Sequence, residues 1–408
     1  MIVTVSHGTM LDTTTMELVE NQTLVIEGDR IVDVVTGAAG VEADLDIDAG
    51  GQFVLPGFVD AHVHHFIVTM DFPRLAQMSE VERGIGMARL AEGNVRRGFT
   101  TVRDTGGDNR GLMRAIRSGA CGGPRIVQAG RLLSQTGGHG DFRPTHAAVS
   151  ECGCQIFSDH ASFVVDGVDA VRKAARQALR DGSEFIKIMT SGGVASPSDP
   201  FDSVQYTADE VRAITTETDH RHTYTTSHAY MPDAIRLAID NGVQCIEHGN
   251  GIDSAVADRM AELGTVMVPT LVTYQAMQEV GAKMGLPQVS LDKNSGVFDM
   301  GLRSIEIAKA AGVELGFGTD LLGDAQAWQN REFAIRAGLE PAVDVLRSMY
   351  VTNVKLCRLE GRVGVLAPGA FADVVVSRVN PIDDLAGLAE PDANINTVIQ
   401  NGRPVNRS

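Results

Sequence analysis

The chain has 408 residues, 43% of them hydrophobic and 21% charged, which excludes a disordered tail, a fibre or a small disulfide-stapled scaffold and allows one large domain or two modest ones. Lys plus Arg number 35 against 52 Asp plus Glu, a formal charge of −17. A surface this acidic repels phosphate backbones and anionic lipid, so small-molecule chemistry is expected, with no nucleic-acid or membrane partner.

The N-terminal stretch shows no basic region followed by an apolar core, and no apolar run reaches membrane-spanning length, which predicts a cytoplasmic protein. Its β-branched segments at 2–5, 23–27 and 31–34 read as strands, the last two joined by Gly28 and Asp29, a hairpin signal. Eight further strand segments follow, at 53–63, 100–104, 125–129, 185–190, 223–228, 245–248, 265–270 and 313–320. Amphipathic helical stretches at 76–97, 168–181, 208–221, 232–241, 254–263, 301–311 and 330–337 alternate with them. Strand-like residues return at 372–377 and 396–399, the second followed by the turn Asn401-Gly402.

This order predicts an α/β chain: a (β/α)8 TIM barrel over 56–360 and a small β-sandwich domain assembled from both ends, 1–55 and 361–408. A barrel places its chemistry at the C-terminal ends of its strands, where the long connections 132–166, 191–206 and 271–300 would lie. Five cysteines are an odd number, and Cys152 and Cys154 stand too close for a long-loop disulfide, so reduced thiols are expected. No second Cys or His pair follows them at finger spacing, which argues against a structural zinc there.

His62 and His64 end the first barrel strand at i and i+2, so both imidazoles leave one face and can converge on one ion. His65 points to the other face. His228 ends the fifth strand, His248 the sixth and Asp320 the eighth. A hydrogen-bonded core histidine or a capping Asp explains any one of these alone, but not five metal-competent side chains at the same end of one barrel. Lys187 sits mid-strand among apolar neighbours, where a buried ammonium would be costly and would repel a metal. One reading turns it outward to snorkel beneath a helix. The other lowers its pKa by burial, so that the free amine adds carbon dioxide and the carbamate bridges two cations.

The set His62, His64, Lys187, His228, His248 and Asp320 resembles the binuclear, carboxylated-lysine form of the amidohydrolase superfamily, over essentially the whole chain. Thr136-Gly137-Gly138-His139-Gly140, Gly318-Thr319-Asp320 and the stretch 100–107 resemble the branch related to imidazolonepropionase, which includes metal-dependent Xaa-Pro dipeptidases. The resemblance implies two divalent ions. His62, His64 and Asp320 would hold the more buried one, His228 and His248 the other, with the Lys187 carbamate between them; zinc is the expected ion. Two cations would lower the pKa of a shared water and polarise a carbonyl, and Asp320 would pass the proton to the leaving nitrogen. It implies a homo-oligomer as well.

Tyr230, two residues past His228, is a candidate to meet a substrate carboxylate or oxyanion, and His139 in its Gly-rich loop is a second substrate contact. Arg103 and Asp104 are read as an internal ion pair. Hydrolysis of a carbon–nitrogen bond in an Xaa-Pro dipeptide is the first functional reading. An N-acyl amino acid deacylase, another dipeptidase or carboxypeptidase, or an imidazolonepropionase-like cyclic amide hydrolase are the alternatives. An inactive scaffold would not need all six ligand types together.

Overall fold

A computed structural model describes residues 1–143, 160–196 and 199–405. Cys152 and Cys154 lie outside them, and Cys121, Cys245 and Cys357 are free thiols. No helix among the described residues is long and apolar enough to cross a membrane.

The N-terminal end supplies strands β1 (Ile2–Asp12), β2 (Glu17–Glu27), β3 (Arg30–Thr36), β4 (Leu45–Asp48) and β5 (Phe53–Pro56). Barrel strands follow: β6 (Phe58–Val63), β7 (Phe99–Asp104), β8 (Arg125–Gln128), β9 (Leu132–Ser134), β10 (Ser162–Val164), β11 (Ile186–Met189), β12 (Thr225–Ala229), β13 (Cys245–His248) and β14 (Val266–Val268). The C-terminal end adds β15 (Val374–Ser377), β16 (Ile395–Gln400) and β17 (Arg403–Pro404). Both ends join one sheet, β17-β16-β15-β5-β1-β2-β3 with β4 on β1, and β5 is the link because it pairs with β1 and with β15. Gly28-Asp29 makes the two-residue hairpin that pairs Glu27 with Arg30. Asn401 and Gly402 both take positive φ, 48° and 74°, as a tight turn between β16 and β17 requires.

The segment 53–63, predicted as one strand, is two. At Gly57 the chain leaves the end sheet for the barrel, and an added Cβ there would lie 2.0 Å from the Thr100 hydroxyl. The ladders β6-β7-β8 and β9-β11-β12-β13-β14 are parallel and supply most of the ring. They meet where Glu184 donates its N–H to Gln128 (2.9 Å). The predicted eighth strand, 313–320, closes the ring without a regular ladder: Met267 donates to Glu314 (3.0 Å), Gly316 to Met267 (2.8 Å) and Ala61 to Phe317 (2.8 Å). The Asn353 side chain explains the interruption, since its Oδ1 accepts from Phe317 N (3.0 Å) and its Nδ2 donates to the Phe317 and Val59 carbonyls (2.7 Å each).

Helices Val168–Arg180, Ala208–His220, Pro232–Asp240 and Ser254–Leu263 form within a residue of the expected bounds. The stretch 76–97 is instead two helices, Phe72–Gln77 and Glu80–Arg96, because Ser79 and Glu82 form a capping box that starts the second. Helix Arg110–Ser118 was not foreseen, and 271–300 is no extended connection but holds Leu271–Val280, Gln288–Asn294 and the start of Val297–Ala311. Ile186 and Ile188 pack with Val171, Ala175, Val211 and Ile214 of the surrounding helices. Alternation therefore turns Lys187 into the barrel, not beneath a helix, and it is 1% exposed.

Candidate metal centre

His62 and His64 leave β6 on one face, and their Nε2 atoms lie 3.3 Å apart. Asp320 Oδ1 is 3.3 Å from the first and 3.1 Å from the second. Ligand atoms bound to one tetrahedral ion at about 2.0–2.1 Å stand about 3.4 Å from one another, so this triangle is the right size for a cation. His248 joins it, with ligand atoms of His62, His248 and Asp320 all within 4.8 Å of one another. His64 Nδ1 is buried without a hydrogen-bond partner.

Two of these residues reach the site by breaking local backbone rules. On β13 the alternation sends Glu247 inward, and His248 follows only because its φ is +75°; Asp320 likewise sits at φ +50°. Such conformations are costly for residues with a Cβ and persist where the surrounding structure over-determines them, commonly at functional sites. Asp320 is held there as its N–H donates to the His62 carbonyl (2.8 Å).

Behind the triangle lies a buried charge chain. His62 Nδ1 donates to Glu247 Oε2 (2.8 Å), which leaves Nε2 for an ion, and the other oxygen of Glu247 takes hydrogen bonds from Arg103 and Thr226. Arg103 also donates to the Ala61 carbonyl (2.6 Å) and the Tyr224 hydroxyl (3.1 Å). The expected Arg103–Asp104 pair is therefore not formed. Adjacent strand residues point to opposite faces, and Asp104 instead accepts from His65 N and Nδ1 (2.9 Å each). With its Nε2 on Asn94 Oδ1 (2.6 Å), His65 has no nitrogen left for an ion.

Electrostatics favour cations in this pocket. Burial pushes the Glu247 carboxyl up, but Arg103, His62 and Lys187 outweigh it and hold it well below the usual range. Burial acts likewise on Asp320, and His62, His64 and His248 overcome it. Burial, with neighbouring imidazoles, keeps His228 and His248 well below the ordinary histidine value, so both are neutral and able to ligate. Burial also lowers the Lys187 amine against the pull of Glu247 and Asp320.

The remaining sequence candidates gather on one flank. The His228 ring lies 4.6 Å from that of His248, and its Nε2 donates to the Gly192 carbonyl (3.0 Å), leaving Nδ1 for an ion. His139 stacks on His228 at 4.2 Å, and Tyr230 stands edge-on to it at 4.8 Å. The structure thus brings all eight predicted site residues to one end of the barrel. Sequence reasoning passed over the residues that orient them: Glu247 on His62, Thr270 Oγ1 on His248 Nδ1 (2.8 Å), Ser196 Oγ on His139 Nδ1 (2.8 Å) and Tyr274 on the Tyr230 hydroxyl (3.0 Å). A carboxylate one residue before a strand-ending histidine was the one available signal.

The amidohydrolase family profile matches residues 53–405. The chain belongs to the amidohydrolase family. Members generally use divalent metal ions and act on small molecules, and the family assignment makes this amidohydrolase a hydrolase of carbon–nitrogen bonds. It is similar to a solved prolidase complexed with N-methylphosphonate-L-proline, 42% identical with a TM-score of 0.95 over 100% of both chains. It is also similar to an Xaa-Pro dipeptidase with bound methionine, 28% identical with a TM-score of 0.88 over 99% of each chain. Ochratoxinase from Aspergillus niger is 27% identical over 351 residues, 83% of this amidohydrolase and 73% of the relative.

Proposed function

We propose that this amidohydrolase is an Xaa-Pro dipeptidase, with two divalent ions, zinc the expected one, at His62, His64 and Asp320 and at His228 and His248. What supports the reading above all is likeness along the full length to a prolidase holding a proline phosphonate. Bound ions would supply a Lewis acid for the scissile carbonyl and an activated water at neutral pH.

The chain's own residues do the rest. Burial lowers the Lys187 amine, which would favour its addition to carbon dioxide, forming the N–C bond with loss of a proton to solvent; as a carbamate Lys187 would be an anionic ligand for the ions. Asp320, held ionised at rest, would take the proton of the attacking water as the C–O bond forms and deliver it, as the C–N bond breaks, to the prolyl nitrogen, a secondary amine that leaves poorly unless protonated. Tyr230, whose hydroxyl burial holds far above neutrality, would donate a hydrogen bond to substrate oxygen as a neutral phenol, and His139, stacked on His228, would be a second donor. A homo-oligomer is part of the proposal, checked by light scattering.

Steady-state hydrolysis with zinc-loaded protein and bicarbonate, across Xaa-Pro dipeptides, matched non-proline dipeptides and N-acyl amino acids, tests the reading. Preference for Xaa-Pro and loss of turnover on exhaustive chelation are expected. Preference for N-acyl substrates would move the chain to the deacylases, and turnover that survives chelation would remove the metal mechanism.

A further inference from the structure

Lys293 lies on helix Gln288–Asn294, well away in sequence from every predicted site residue, yet its ammonium donates to three carbonyls of one loop: Gly193 (3.2 Å), Ser196 (2.7 Å) and Asp199. An ammonium has three donors, and here each has an acceptor. Three carbonyl dipoles aimed at one point repel one another unless a cation stands there. One turn earlier on the same helix, Ser290 donates to the Ala195 carbonyl (3.1 Å).

That loop carries the partners of two rings at the metal centre. Gly192 accepts from His228 Nε2 (3.0 Å), and Ser196 Oγ meets His139 Nδ1 (2.8 Å). The Asp199 carboxylate takes the Gly193 N–H (3.1 Å) and Gln205 Nε2 (3.1 Å), while Gln205 Oε1 accepts from His139 N (2.9 Å). The fit is close, since a Cβ on Gly193 would stand 2.1 Å from the His139 ring.

We propose that Lys293 is a positioning residue of the metal centre: a tethered cation that gathers the Gly193, Ser196 and Asp199 carbonyls and through them sets His228 and His139. The inference rests on the metal reading above, but it concerns how the chain holds the site. Without the ammonium the carbonyls separate and hydrate. Gly192 and Ser196 move with them, and the ion on the His228 side is bound less well than the ion on the His62 side.

The test uses full-length Lys293→Met, which keeps the length of the side chain and removes its charge, and Lys293→Ala with added n-propylammonium. Hydrogen exchange of the 192–205 amides and zinc titration against a competing chelator are the readouts. For K293M we expect faster exchange in that loop alone and an affinity for the second ion weakened by about tenfold, with the first ion unchanged. In K293A, n-propylammonium should restore protection, and tetramethylammonium, which has no donor, should not. Wild-type exchange and both ion affinities in K293M, or no response of K293A to n-propylammonium, overturns the proposal. Should K293M not fold, Lys293→Arg decides, because a planar guanidinium cannot send three donors from one nitrogen to three converging carbonyls: a loosened loop supports the proposal and an unchanged one overturns it. If the wild-type chain takes up only one ion, the binuclear reading fails, and the exchange data still judge Lys293.

Discussion

His62 and His228 face the same end of the barrel but are held by different materials. His62 is fixed at 2.8 Å by Glu247 from another strand, a carboxylate that is itself locked by Arg103, and all three side chains are at most 1% exposed. His228 is fixed at 3.0 Å by the carbonyl of Gly192, in an irregular loop whose shape depends on Lys293. The first side is built of buried charges on barrel staves, so removing a piece strands an ion in low dielectric. The second hangs from backbone that can re-solvate. The stave side should therefore fail by unfolding or by losing the first ion, and the loop side by losing rate, specificity or hold on the second ion while the fold stays intact.

Arg103→Met should break the stave side most severely, because the buried Glu247 loses its largest counter-charge; a loss of about 3–5 kcal/mol in unfolding free energy is expected, read by urea denaturation. An unchanged midpoint would show that the pair carries none of the stability. On the loop side, His139→Ala should lower kcat/KM by about 10²-fold through the lost donor, while the unfolding midpoint and zinc content stay as in the wild type. A destabilisation matching that of Arg103→Met would erase the contrast between the two sides.

Glu247→Gln sharpens the comparison from the stave side. The amide oxygen can still accept from His62, but without charge, so zinc affinity at the first ion should drop by about 10- to 100-fold in chelator competition. A further expectation concerns pH. Glu332 accepts from Val272 N (2.7 Å) at the start of helix Leu271–Val280, which carries Tyr274, and burial raises its carboxyl from 4.5 to about 8. A raised acid is protonated in the fold while already ionised in the unfolded chain, so its contribution is complete below about 4.5 and is lost as pH rises through about 8. Denaturation midpoints should decline across that window in the wild type and flatten in Glu332→Gln.

Much of this was legible because barrel strands announce themselves by apolar runs and because side-chain alternation fixes direction. His62 and His64 share a face for that reason, His65 does not, and Lys187 turns inward between Ile186 and Ile188. Alternation misleads where the backbone departs from the strand: it points Glu247 inward correctly but would turn His248 away, and only φ of +75° brings that ring into the site. The pairing of Arg103 fails likewise, since neighbours in sequence face apart and its partner lies 144 residues on.

The sequence by itself determined the strand–helix rhythm, the strand-like character of both chain ends, and which side chains could ligate a metal. These depend on local periodicity and residue chemistry. Tertiary structure alone decided what holds those ligands: Glu247 behind His62, Gly192 behind His228, Asn353 standing in for ladder bonds at Phe317, and Lys293 under the loop. A hydrogen bond across tens or hundreds of residues follows no sequence period. It exists because the closed ring and the loops above it bring distant donors and acceptors into one low-dielectric space, where leaving them unpaired would be costly.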